Sequence, residues 1–146
     1  MSFKEAIENT PLLEKAFKNG LQALGSNSSK VKPTDTRKCE GSVDIDTAVQ
    51  SIYPNASRWD YALGYDGTTH FIEVHTAKTD EVTPVLNKYQ WLKDFLINDA
   101  PELNKEPNRF HWIASGGNHI LKGSSQARKL AQSGINMVGQ LTLQNE

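Results

Sequence analysis

The dipeptide Asp66-Gly67 lies between two runs of alternating apolar and polar residues, and it restricts the fold of this chain more than any other feature. Asp and Gly both tolerate the left-handed backbone conformation that a two-residue turn between antiparallel strands requires. Alternation with a period of two is typical of strands that have one buried face. The sequence therefore predicts a β-hairpin with strands over residues 59–65 and 70–76.

Pairing across such a turn determines which side chains lie opposite one another. A two-residue turn places Asp60 opposite Glu73. The neighbouring pair on that face is then Arg58 and His75. A four-residue loop would instead pair Asp60 with His75, but an even shift leaves every side chain on the same face. In either case Asp60, Glu73 and His75 are predicted to share one face of the hairpin.

Helical and strand periodicities cover most of the remaining chain. Apolar residues three and four apart predict helices, and short β-branched or aromatic runs predict strands. The helices are predicted over 10–24, 84–98 and 124–133, with a short amphipathic segment at 3–7, and the further strands over 42–49, 109–115 and 135–143. The predicted order is αβββαβαβ, an α/β fold with a mixed central β-sheet flanked by helices.

Length and composition predict one domain over residues 1–146, because 37% hydrophobic residues suffice for a single core. Within it, residues 25–38 are small, polar and rich in Lys and Arg, which predicts a flexible basic loop. No apolar run is long enough to span a bilayer, and charges interrupt the first residues where a secretion signal would be apolar. Cys39 is the only cysteine, so we expect a cytoplasmic protein with no membrane partner and no disulfide.

The charge balance limits the class of partner. The chain has 16 Lys and Arg against 17 Asp and Glu, whereas proteins that hold many phosphates usually carry a basic excess. A nucleic-acid partner would therefore have to be met by a local basic patch. A protein partner and a homo-oligomer both remain open.

Two carboxylates opposite each other on a sheet repel, by about 0.5 kcal/mol when they are exposed. A divalent cation, a shared proton or the neighbouring Arg58 could compensate. Mg²⁺ and Mn²⁺ take carboxylate oxygens, and imidazole also suits Mn²⁺. Asp60, Glu73 and His75 are therefore the candidate metal ligands. The alternative is that Glu73 and His75 simply face solvent.

The sequence around these residues resembles the core of restriction-endonuclease-like, or PD-(D/E)XK, proteins. The resemblance covers roughly residues 41–115: Trp-Asp60-Tyr-Ala-Leu, a hairpin, Phe-Ile-Glu73-Val-His75 and an amphipathic helix. That family has the core order αβββαβ and an Asp followed, on the next strand, by Glu-x-Lys. The resemblance implies an endonuclease-like fold in which Asp60 and Glu73 hold a metal for phosphodiester hydrolysis. A nuclease acting on DNA or RNA would follow.

The chain departs from the motif at one position, because His75 stands where the family has lysine. A histidine with an ordinary pKa near about 6.5 is mostly neutral at neutral pH, so it is a poorer fixed positive charge. Lys78 or Lys88 could supply the missing ammonium, although each could equally be a solvated surface lysine. The candidate catalytic residues are therefore Asp60, Glu73, His75 and Lys88.

Two rival functions fit the same pattern. The first is a non-catalytic protein-interaction module on the same fold with a degenerate site. The second is a metal-dependent hydrolase of small phosphoesters, which suits the near-zero net charge. Two further features could contribute: Asp44 could point into the site, and the segment 115–125 could hold phosphate at a helix start. Each also has an ordinary explanation, as a strand-end aspartate and as a helix connection capped by Ser124 or Ser125.

Overall fold

The computed structural model describes residues 1–144, and within them a mixed sheet has the strand order β2-β3-β4-β5-β6. These strands are β2 (Cys39–Asp44), β3 (Tyr61–Tyr65), β4 (Thr68–Lys78), β5 (Asn108–His119) and β6 (Asn136–Val138). β3 pairs antiparallel to both β2 and β4, and β5 and β6 continue parallel to β4. The predicted α/β fold with a mixed, helix-flanked sheet is confirmed.

The predicted hairpin joins β3 to β4 through a two-residue turn. Asp66 and Gly67 have φ angles of 47° and 81°, which is the left-handed region that such a turn requires. Tyr65 pairs with Thr68, so the register is the one predicted from the two-residue turn. This register brings the beginning of β3 beside the middle of β4.

The helices surround this sheet. They are α1 (Phe3–Glu8), α2 (Ile45–Val49), α3 (Val82–Asn98), α4 (Pro101–Asn104) and α5 (Ser125–Ser133). The helices predicted over 84–98 and 124–133 correspond to α3 and α5. None of the helices in residues 1–144 combines the length and hydropathy that crossing a bilayer requires.

The first predicted helix, over 10–24, is wrong. The α-helix lies earlier, at α1, where Ser2 and Glu5 form a capping box. Lys18 instead forms an antiparallel bridge with Ser42 of β2, with reciprocal backbone hydrogen bonds of 2.9 Å. A backbone that pairs with a strand cannot also make helical bonds, and Gly20 at φ 52° turns the chain away.

Other boundaries also differ from the prediction. The segment 25–38 is not one loop: it contains parts of a 3-10 turn at Gln22–Lys30, strand β1 (Val31–Pro33) and a second 3-10 turn at Thr36–Lys38. The last predicted strand divides into β6 and β7 (Leu141–Leu143), and β7 pairs in parallel with β1 in a separate small sheet. The strand predicted over 42–49 ends where α2 begins.

Both faces of the main sheet are covered. On one face, Ala62 and Phe71 pack with Leu92 and Leu96 of α3. On the other face, Leu63, Ile72 and Ile113 pack against residues of β1 and β7. Because both faces are covered, β4 is buried from Thr68 to Glu73, polar side chains included, and it becomes exposed toward Lys78. The candidate site lies on the α3 face.

Candidate active site

Asp60 and Glu73 are joined by two hydrogen bonds, each from a backbone N–H to a carboxylate. The Asp60 N–H donates to Glu73 Oε1 at 3.1 Å, and the Val74 N–H donates to Asp60 Oδ2 at 3.0 Å. Asp60 precedes β3 directly and Glu73 lies in the middle of β4, so the hairpin register sets this contact. The predicted pair of carboxylates is therefore brought together.

Glu73 does not face solvent, so that alternative is wrong for Glu73, whereas His75 is partly exposed. Its side chain is 0% exposed, and Oε2 lies 2.7 Å from the Lys88 ammonium. Lys88 belongs to α3, three residues after the buried Val85 and four before the buried Leu92. It therefore lies on the sheet-facing stripe of the helix, not on the outer face where an isolated lysine would be expected.

Charge compensation at Glu73 comes from Lys88 and not from Arg58. Arg58 donates from Nε to Asp46 Oδ1 at 2.6 Å and from Nη1 to the Tyr53 carbonyl at 2.6 Å. The other lysine considered, Lys78, is exposed at the end of β4. Of the predicted stand-ins for the motif lysine, Lys88 is thus the one that contacts the carboxylate.

Burial dominates the electrostatics of the pair. Burial, reinforced by the Asp60 charge, raises the pKa of Glu73 to about 8, although Lys88 opposes this shift. Burial also raises the pKa of Asp60, against the opposing effects of the Val74 N–H and Lys88. For Lys88, burial lowers the pKa, but the Glu73 and Asp60 carboxylates outweigh it and the net pKa is raised. The site therefore favours bound positive charge or bound protons.

His75 lies on the same face as Glu73, one pleat further along β4. Its Nδ1 is 3.8 Å from Glu73 Oε2, and its Nε2 lies 2.7 Å from Glu81 Oε2. The backbone is held as well, because Trp112 Nε1 donates to the His75 carbonyl at 3.0 Å. Glu81 was missed in the sequence because a 3-10 turn at Thr79–Glu81 returns it to β4.

The residues present fit a small hard cation only in part. Within residues 1–144 no cluster of three or more His, Cys, Asp and Glu side chains is arranged to hold a metal, so the predicted set of Asp60, Glu73 and His75 is not assembled as ligands. Mg²⁺, however, commonly uses one or two carboxylates and keeps several waters. Asp60 and Glu73 match that requirement.

The two secondary candidates have local structural roles. Asp44 caps α2, since its carboxylate accepts from the Thr47 N–H at 2.9 Å. Ser124 caps α5 by accepting from the Ala127 N–H at 3.0 Å. The segment before it meets the 3-10 turn that follows β4, where the Leu121 N–H donates to Thr79 Oγ1 at 2.9 Å. Phosphate binding by this segment stays a prediction.

Comparisons with family models, with curated proteins and with solved structures each return no match to this chain.

Proposed function

We propose that this chain is a restriction-endonuclease-like hydrolase that cleaves phosphodiester bonds of nucleic acid, with Mg²⁺ or Mn²⁺ held by Asp60 and Glu73. The observation that carries the proposal is the buried Glu73 carboxylate, paired with Lys88 at 2.7 Å and joined to Asp60. Burying an ionisable group is costly, so such groups concentrate at sites where their charge is used. A purely structural position on β4 would be served better by an apolar residue.

The order of elements supports the same proposal. The elements α1, β2, β3, β4, α3 and β5 follow one another as α, β, β, β, α, β, with the short β1, α2 and α4 inserted. Asp60, directly before β3, and Glu73, on β4, match the Asp and Glu of the motif. Lys88 supplies from the following helix the ammonium that His75 does not supply from the strand. Lys88, in contact with Glu73, thus compensates for the lysine that the motif has at the position of His75.

The bound cation would activate a water and neutralise charge that develops on the phosphate. Hydrolysis would form a bond between the water oxygen and phosphorus and break the bond from phosphorus to the leaving oxygen. The water would release a proton to solvent, and the leaving oxygen would take one up from solvent. Asp60 and Glu73 hold the cation, and Lys88 places a positive charge beside the phosphate oxygens. His75 orients the water. The free thiol of Cys39 is compatible with the reducing cytoplasm in which we place this activity.

The test is calorimetric titration of MnCl₂ and MgCl₂ into the wild type and Glu73→Gln, followed by hydrolysis assays on single- and double-stranded DNA and RNA. Glu73→Gln keeps the shape of the side chain and removes the carboxylate that would hold the cation. We expect cation binding and hydrolysis in the wild type and the loss of both in the variant. Glu102→Gln, on α4 in a surface pair with Lys105, is the matched control and should change neither. Equal hydrolysis by wild type and Glu73→Gln would overturn the proposal.

One observation favours the non-catalytic interaction module instead. Glu73 Oε2 is already paired with Lys88, and His75 Nε2 is already paired with Glu81, so the network is satisfied by protein groups alone. That function predicts no cation binding, with or without nucleic acid, and no hydrolysis. A hydrolase of small phosphoesters is distinguished by a third result, in which nucleotides compete with nucleic acid for the metal-loaded protein.

A further inference from the structure

The His75 ring is held between two carboxylates that contact its two nitrogens differently. Glu81 Oε2 lies 2.7 Å from Nε2, which is hydrogen-bonding distance, whereas Glu73 Oε2 lies 3.8 Å from Nδ1, which is not. Resting on the proposed hydrolase function, we propose that Glu81 is a positioning residue that holds His75 with its proton on Nε2. The Nδ1 lone pair then accepts a hydrogen bond from the attacking water.

The first step concerns the tautomer of His75. An ionised carboxylate can only accept hydrogen bonds, so the ring nitrogen that faces it must carry the proton. The hydrogen bond from His75 lowers the pKa of Glu81, which keeps that carboxylate ionised at neutral pH. In the neutral ring the remaining nitrogen, Nδ1, then has its lone pair free to accept. Glu81 thus determines that the nitrogen on the Glu73 side, Nδ1, is the unprotonated one.

The second step concerns the direction of Nδ1. The ring packs edge to face against Trp112, with centroids 6.3 Å apart and planes at 67°. Together with the Trp112 hydrogen bond to the His75 carbonyl, this contact restricts rotation of the ring. A single oxygen at about 2.8 Å from both atoms could contact Nδ1 and Glu73 Oε2, which are 3.8 Å apart. A water in that position would lie next to the carboxylate that we assign to the cation.

Glu81 could instead have a structural role. It also accepts a hydrogen bond from Thr76 Oγ1 at 3.3 Å, and it ends the 3-10 turn that leads into α3, the helix that carries Lys88. A structural role predicts that its loss disturbs the turn and the stability without a specific effect on the ring of His75. The experiment must therefore report on the ring itself.

The decisive measurement is the tautomer of His75 by two-dimensional ¹⁵N NMR of the side-chain nitrogens at neutral pH in metal-free protein, with the His75 signals assigned from His75→Gln. We expect Nε2–H in the wild type, a mixture of both tautomers in Glu81→Ala, and recovery of Nε2–H in Glu81→Gln, whose amide oxygen can still accept. Asp80→Ala is the matched control, because Asp80 is an exposed carboxylate in the same turn. It should leave the tautomer unchanged.

Kinetics provide the second readout. Loss of a group that orients a ligand or reactive side chain typically costs about 10–100-fold, so kcat for nucleic-acid hydrolysis should fall by that factor in Glu81→Ala with little change in KM. Glu81→Gln should recover part of it. An unchanged His75 tautomer in a folded Glu81→Ala variant would overturn this inference. If Glu81→Ala shifts the tautomer of His75 but the wild type hydrolyses no nucleic acid, the result counts against the proposed function. It does not count against the control of the ring by Glu81.

Discussion

Lys88 of α3 places its ammonium 2.7 Å from Oε2 of Glu73, a carboxylate that is 0% exposed. The contact connects the helix to the central strand across the face that also carries Asp60. Since the ammonium is only partly exposed, both partners have lost hydration, and each depends on the other for compensation. Consequences for stability follow directly from this pairing.

Replacing Lys88 by Met should destabilise the fold by about 2 kcal/mol, because it leaves a buried carboxyl group without its charged partner. The measurement is urea unfolding at neutral pH. The double variant Glu73→Gln/Lys88→Met should recover part of the loss, since the unpaired acid is then also removed. This recovery is the coupling that a double-mutant cycle detects.

The control for this prediction is Lys93→Met on the same helix. Lys93 lies over the Tyr89 ring at 4.6 Å and contacts solvent, so its loss should cost no more than about 1 kcal/mol. If Lys88→Met were no more destabilising than Lys93→Met, the pairing of Glu73 with Lys88 would not contribute to the stability of the fold.

The meeting of Asp60 and Glu73 could be predicted because it depends on local rules. An Asp-Gly turn has few conformations, and a strand has a strict period of two, so the turn alone determines the register. The position of Lys88 on the sheet-facing side of α3 could also be predicted, because it continues the buried stripe of Val85 and Leu92. The contact of Glu81 with His75 could not be predicted, because it depends on the turn at Thr79–Glu81, which has no distinct sequence signal.

The incorrect helix over 10–24 shows where local rules fail. Its apolar spacing is helical, yet the backbone of Lys18 pairs with Ser42, which is far away in sequence. A tertiary contact of that kind overrides local propensity, because the backbone can satisfy its hydrogen bonds equally well on a strand. The division of the last strand into β6 and β7 has the same origin, since β1 provides the partner of β7.

The contact of α1 with the sheet gives a second prediction. A Cβ added to Gly64 of β3 would lie 2.5 Å from Cγ and 2.6 Å from Cβ of Phe3, atoms too close to the α1 backbone to move aside easily. Gly64→Ala should therefore cost about 1–3 kcal/mol through overpacking. Gly139→Ala is the control, because an added Cβ there meets nothing within 4 Å. Equal melting temperatures for the two variants would show that α1 does not pack tightly on β3.

The opposite face of the sheet contains a buried histidine pair. His70 Nδ1 and His111 Nε2 are 2.8 Å apart, and both side chains are 4% exposed. Asn136 Nδ2 donates to His111 Nδ1 at 3.1 Å, so His111 must carry its proton on Nε2 and donate to His70. Burial, together with the nearby His70 and Arg109, lowers the pKa of His111 to about 3. The folded protein thus holds this ring neutral.

This depressed pKa makes stability depend on pH in a defined direction. In the unfolded chain His111 titrates near about 6.5, so between that pH and 3 the unfolded state binds a proton that the folded state excludes. The stability that the neutral His111 ring contributes to the fold is therefore fully present above about pH 6.5. It is lost as the pH falls toward 3, by at most about 1.4 kcal/mol per pH unit.

The free energy of unfolding should be measured by urea titration at pH 7, 6, 5 and 4 for the wild type and His111→Gln. Glutamine cannot titrate, so the difference between the two proteins isolates His111 from the acidic residues that also titrate there. We expect the wild type to lose stability more steeply than His111→Gln below pH 6.5, and parallel curves would mean that the ring is protonated in the folded protein as readily as in the unfolded chain.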